Sequence, residues 1–108
     1  MSAEVTIVVL NWNNAPDTIE CLESVGHLDY PDYRVLVVDN GSTDGSVGRI
    51  RDEHPDVEIV ETGDNLGYAG GNNAGIRHAL DGGAEYVCIL NNDVMVAPDF
   101  LTPLLASL

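Results

Sequence analysis

Four clusters of small polar residues interrupt an otherwise apolar and periodic sequence: NWNN at 11–14, DNGS at 39–42, GDNLG at 63–67 and NND at 91–93. Each follows a short apolar run, and each carries groups able to do chemistry. The run Val35 to Val38 stops on Asp39. A carboxylate at the mouth of a buried strand is costly unless a partner meets it, which makes Asp39 a candidate for ligand recognition. The alternative is a turn with a helix cap, in which Ser42, Thr43 or Asp44 accepts the free amides of the helix that follows. Asp93 supplies one hard oxygen. One carboxylate cannot fill the shell of a divalent cation, but a ligand diphosphate would complete it. In NLGYAGGNNAGI, residues 65–76, the glycines either relax a loop or let backbone amides approach a phosphate at a helix N-terminus, and the two readings are compatible.

Positioning these groups requires elements that end where the clusters begin. Strand-length β-rich runs cover Val5 to Leu10, Arg34 to Asp39, Val57 to Glu61 and Tyr86 to Leu90. Helical spacing falls between them, over Pro16 to Val25 (Ile19, Leu22, Val25), Gly45 to His54 (Val47, Ile50) and Gly70 to Leu80 (Ile76, Ala79, Leu80). Pro98 and Asp99 can open a last helix. Continuously apolar strands separated by helices are expected to be buried on both faces of a parallel sheet, and right-handed crossovers make a doubly wound α/β sheet the default. In such sheets ligands bind beyond the carboxyl ends of the strands, near the switch in strand order. With the order 3-2-1-4, the ends of strands two, one and four line one cleft.

Composition narrows the function. The chain has 108 residues, enough for one self-sufficient core. Eighteen acidic residues face four arginines and no lysine, a formal net charge of -14. Such a surface repels nucleic-acid backbones and anionic lipid. With 44% hydrophobic residues in periodic runs the chain is expected to fold. A carboxylate-coated folded surface is the composition of proteins adapted to concentrated salt, so a haloarchaeal or similar halophilic source is expected. No apolar stretch reaches the ~20 residues of a membrane-spanning helix, and no secretion signal opens the chain, so a cytoplasmic location is expected, at the inner face of a membrane in any longer protein. Cys21 and Cys88 lack metal or disulfide spacing and read as buried free thiols. His27, His54 and His78 lack ligand spacing and read as surface residues. The turn NWNNAP has no glycine, which excludes the dinucleotide fingerprint. The absence of lysine excludes a G-K-[ST] phosphate loop and argues against a phospho-accepting receiver domain.

Taken together and in order, VTIVVLNWNN, VLVVDNGSTDGS, NLGYAGGNNAGI and CILNNDV resemble the N-terminal half of an inverting family 2 glycosyltransferase of the GT-A fold, in the branch that includes rhamnosyltransferase-like enzymes. The resemblance covers nearly all of residues 1–108. It implies that Asn11 and Asn13 line the nucleotide pocket and that Asp39 accepts the N3–H of a uracil or thymine ring. It further implies that Asn65 and Gly67 shape the loop beside the nucleotide, that Asn92 belongs to the same site, and that Asp93, matching the last acid of a DxD motif, holds Mg²⁺ or Mn²⁺ on the diphosphate. Many relatives carry an arginine where this loop has Asn72, which shifts neutralisation of the diphosphate towards the cation. The implied activity is inverting transfer from a UDP- or dTDP-sugar to a glycan or lipid-linked acceptor, in cell-surface glycan biosynthesis. No catalytic base is assigned among these residues. It is expected after Leu108, which makes the chain a donor-binding part that is inactive alone. The alternative is a non-catalytic nucleotide-binding module of the same fold.

Overall fold

In the computed structural model, which describes residues 3–107, the chain alternates strands and helices: β1 (Val5–Asn11), α1 (Ala15–Val25), β2 (Tyr33–Asp39), α2 (Ser46–Glu53), β3 (Glu58–Glu61), α3 (Gly67–Asp81), β4 (Tyr86–Leu90) and α4 (Leu101–Ala106). All four strands are parallel, in the expected order β3-β2-β1-β4. Among the described residues no helix is long and apolar enough to cross a membrane.

Strand periodicity sorts the side chains into two layers. Val5, Ile7, Val9 and Val37 pack with Ile19, Leu22 and Val25 of α1, Ile50 of α2 and Leu101 of α4. Val8, Leu36 and Val38 form the opposite layer, which α3 covers. Full burial of one such aliphatic side chain is worth roughly 1.5–3 kcal/mol, so the two central strands anchor the sheet. The expectation that every strand is buried on both faces holds for β1 and the inner part of β2. It fails for β3 and β4, which lie at the edges and are only partly covered.

The third helix differs from its sequence pattern. Its buried residues are Gly71, Asn72, Gly75 and Ala79, whereas Leu80 is exposed. Small residues let this helix lie close on the sheet: a Cβ on Gly75 would fall 2.7 Å from Val8 and 2.8 Å from Val38. The helix also starts at Gly67 rather than Gly70, because packing outweighs the poor helix propensity of its glycines. Pro98 and Asp99 form a turn ahead of α4. His27 and His78 are exposed, as expected, and Nε2 of His78 lies 3.0 Å from Glu58. His54 instead is half-buried at the end of α2, with its Nε2 enclosed.

Candidate functional site

The β1–β2 register ends on Asn11 opposite Asp39, so the two polar residues stand side by side at the carboxyl edge of the sheet. Both continue the alternation of Val9 and Val37, which directs them to the layer that holds α1. Asp39 is 2% exposed and Asn11 is 0% exposed. Buried polar groups must be paired, and these are. Asn11 Nδ2 donates to Asp39 Oδ1 at 3.0 Å, and Thr18 Oγ1 of α1 donates to Asn11 Oδ1 at 2.6 Å. Asn92 Nδ2, just beyond β4, donates to Thr18 Oγ1 at 3.1 Å. A continuous chain of hydrogen bonds therefore joins the ends of β2, β1 and β4.

Ser42 closes the other side. Its backbone N–H donates to Asp39 Oδ2 at 2.9 Å, its hydroxyl donates to Asp39 Oδ1 at 2.7 Å, and its Oγ accepts the Asn13 N–H at 2.9 Å. Asp39 thus also caps its own turn. Asn13 adopts the left-handed region at φ 49, which asparagine tolerates, and its Oδ1 accepts the Thr43 N–H at 2.8 Å. Gly45 holds the N-cap position of α2, and just ahead of it Asp44 Oδ1 accepts the N–H of the first helical residue, Ser46, at 3.0 Å. The Ser46 hydroxyl also donates to Asp44, and these bonds hold that carboxyl below its usual pKa. Of the three cap candidates, only the aspartate faces the helix.

The loop after β3 is tied to the same edge. Asn40 Nδ2 donates to Asn65 Oδ1 at 3.1 Å and to the Gly67 carbonyl at 3.0 Å, while Asn40 Oδ1 accepts the Leu66 N–H at 3.1 Å. Asn65 Oδ1 accepts the Gly67 N–H at 2.8 Å. Two amides at the start of α3 are therefore already satisfied by side chains, and Asn65 and Gly67 shape this loop. Gly41 permits the closure: at φ 81, a Cβ there would lie 2.8 Å from the Asp64 backbone.

Between these loops lies an open cleft of about 300 Å³ lined by Leu10, Trp12, Asn14, Tyr68, Asn91, Asn92 and Asp93. Trp12 and Tyr68 are 52% and 61% exposed, and Tyr68 Oη donates to Asn91 Oδ1 at 3.0 Å. Exposed aromatics in a polar cleft present flat faces to a ring or sugar. A smaller crevice beside it joins Asp17, Glu20 and Cys21 of α1 to Asn92 and Asp93. Burial pushes the Cys21 thiol up to about 11, and the nearby Asp93 charge adds to the shift. Neither crevice is lined by an arginine. Among the described residues no group of three or more His, Cys, Asp or Glu side chains could hold a metal ion. The donor set at Asp93 fits a cation only where ligand oxygens complete its shell.

The predicted residues thus fall into three linked sets. Buried Asn11 and Asp39 join half-buried Asn13 and Ser42 beneath the edge, without lining the cleft; Asn92 and Asp93 line it; Asn65 and Gly67 stand on the adjoining loop. Thr18 and Asn40 take part without having been singled out in the sequence, and Ser42, a helix-cap candidate there, instead binds Asp39 and Asn13.

The sequence model described as Glycosyl transferase family 2 matches residues 6–108. The low-salt glycan biosynthesis hexosyltransferase Agl10 of Haloferax volcanii is 32% identical over 97 residues, covering 89% of this chain and 30% of that protein. The N-acetylglucosaminyl-diphospho-decaprenol L-rhamnosyltransferase of Mycobacterium tuberculosis is 30% identical over 113 residues, covering 97% of this chain and 37% of that one. Among solved structures, the mannosyltransferase PcManGT of Pyrobaculum calidifontis, in complex with GDP-Man and Mn²⁺, superposes with a TM-score of 0.74 at 35% identity over 88% of this chain and 29% of that one. TarS 1–349 of S. aureus shares the fold, with a TM-score of 0.81 at 22% identity over 95% of this chain and 31% of that one. The chain spans about a third of the length of the curated relatives it matches. Its doubly wound parallel sheet, the polar edge built on it and the match along residues 6–108 agree: the chain belongs to glycosyl transferase family 2.

Proposed function

We propose that this chain binds the donor of a glycosyltransferase that moves a sugar from a UDP- or dTDP-sugar to a glycan or lipid-linked acceptor with inversion at the anomeric carbon. The observation that carries the reading is the hydrogen-bonded chain from Asp39 through Asn11 and Thr18 to Asn92, which places a carboxylate and the Asp93 turn on one edge. Asp39 Oδ2 accepts one hydrogen bond, from the Ser42 backbone, and a carboxylate oxygen has capacity for a second. A ring N–H of uracil or thymine supplies the matching donor.

The polar groups lining the cleft around Asp93 are its carboxylate, the amides of Asn14, Asn91 and Asn92 and the Tyr68 hydroxyl, with no arginine. A bare diphosphate is repelled there, whereas a divalent cation is attracted. Asp93, which lines the cleft together with Asn92, is the group that would hold Mg²⁺ or Mn²⁺. Such a cation supplies electrostatic stabilisation of the departing nucleoside diphosphate. The chain's own residues orient the base, fix the loops after β1 and β2, and leave the acceptor side to the rest of the protein. An inverting displacement needs a general base for the acceptor hydroxyl, and the reading assigns that role to none of these residues. The Haloferax and Mycobacterium relatives, named for a hexosyl and a rhamnosyl transfer, support the reaction class, and the Pyrobaculum complex supports the cation.

The test is a panel of UDP-, dTDP-, GDP- and CDP-sugars offered to the full-length protein with Mn²⁺, reading nucleotide release and binding. Turnover of a UDP- or dTDP-sugar is the expected result. Preference for a GDP-sugar, the donor in the Pyrobaculum complex, would replace the pyrimidine assignment. Binding without turnover would favour a non-catalytic nucleotide-binding module.

A further inference from the structure

Resting on that nucleotide reading, we propose that Thr18 is a positioning residue that couples recognition of the base at Asp39 to the turn carrying Asp93. An ionised carboxylate only accepts hydrogen bonds, so Asn11 turns its NH₂ towards Asp39 Oδ1, at 3.0 Å. Its carbonyl oxygen is left facing α1, where burial demands a donor. The Thr18 hydroxyl is that donor, at 2.6 Å.

With its proton committed to Asn11, Thr18 Oγ1 offers only lone pairs to Asn92. Asn92 therefore presents its NH₂, at 3.1 Å, and its carbonyl oxygen remains the free acceptor of the amide, on the residue next to Asp93. The charge on Asp39 thus sets the orientation of two amides in succession. Thr18 is the obligatory middle member because it both donates and accepts. It is 0% exposed, so bulk water does not take its place. Valine has the same shape and can do neither; serine can do both.

The full-length protein is titrated with UDP and CDP, with and without Mn²⁺, as wild type, Thr18→Val and Thr18→Ser, and melting temperature is recorded for each. The proposal expects Thr18→Val to lower both the preference for UDP over CDP and the gain from Mn²⁺, each by about tenfold, and Thr18→Ser to restore them. A lower melting temperature with both ratios unchanged would mean a merely structural threonine and overturns it. If Thr18→Val does not fold, Asn92→Ala cuts the chain at its half-buried end. That substitution must then lower the preference for UDP over CDP although Asn92 does not touch Asp39, and an unchanged preference overturns the coupling. A nucleotide-free readout separates this idea from the functional one: the side-chain NH₂ protons of Asn11 and Asn92 should exchange slowly in the wild type, and those of Asn92 quickly in Thr18→Val. That result in a protein that binds no nucleotide would overturn the nucleotide reading and leave the hydrogen-bonded link supported.

Discussion

Gly75 of α3 lies so close to Val8 of β1 that a Cβ on the glycine would fall 2.7 Å from the valine methyl. The helix can rest on the sheet only because this position has no side chain. Gly75→Ala is therefore expected to destabilise the fold by about 1–3 kcal/mol, the usual range for overpacking. Gly48, exposed in α2 with open space around it, provides the opposite case: Gly48→Ala should stabilise by roughly 0.5–1 kcal/mol. Urea denaturation of both variants checks the pair, and effects of the same sign would refute the packing argument.

Asp39 is expected to discriminate among bases. A hydrogen bond to a charged group contributes roughly 1.5–3 kcal/mol, about ten- to a hundredfold in affinity. Asp39→Ala should erase the preference for UDP or dTDP over CDP, and Asp39→Asn, which keeps one carbonyl oxygen, should weaken it less. Asp39 also caps its turn through Ser42, so both variants should melt earlier. Calorimetric ratios of UDP to CDP binding distinguish the roles: a turn cap alone lowers stability and leaves the ratio where it was.

The four strands and the polar edge are legible in the sequence, because each short apolar run gives way to small polar residues; the order 3-2-1-4 agrees with the structure, although apolarity alone does not fix it. Thr18 is not legible there. In APDTIECL it looks like any polar helix residue, and only the approach of α1 to the end of β1 gives its hydroxyl two partners. Ser42 is one of three helix-cap candidates in the sequence, which does not say whether a serine after Asn-Gly turns back to the preceding acid or forward to the next helix. The burial of Asn72 on α3 was hidden for a related reason: the helix face is chosen by glycines, which apolar periodicity does not count.

The cation is expected to act through Asp93. Binding of UDP or dTDP should tighten with Mn²⁺, and Asp93→Ala should remove that gain while leaving the melting temperature nearly unchanged, since Asp93 is exposed. Equal affinities in EDTA and in Mn²⁺ would rule the role out.

Salt is expected to stabilise the molecule. A net charge of -14 on 108 residues produces self-repulsion that screening relieves. The melting temperature should climb from dilute buffer to molar KCl, and a flat response would remove the adaptation to concentrated salt.

Alkaline conditions should loosen the layer that holds α1. The Cys21 thiol rises from 9.0 to about 11 on folding, so the neutral thiol favours the folded state fully below pH 9. That contribution is lost as pH climbs towards 11. Stability measured across that interval should fall in the wild type and fall less in Cys21→Ala; parallel profiles would show that the thiol contributes nothing.

The strand order also dictates when the cleft can come into being. Val5 pairs with Tyr33 on one side of β1 and with Tyr86 on the other, so one edge of the same strand is closed by nearby chain and the other by distant chain. Closing the larger loop costs more entropy, and a nascent chain emerges N-terminus first. During synthesis β1, β2 and β3 can assemble with α1 and α2 while the other edge of β1 waits, bare and prone to wrong pairing. The contact of Asp39 with Asn11 is then an early event, and that of Asn92 with Thr18 a late one. Pulse-labelled hydrogen exchange during refolding should find the amides of β2 protected before those of β4; simultaneous protection would show that the sheet forms in one step.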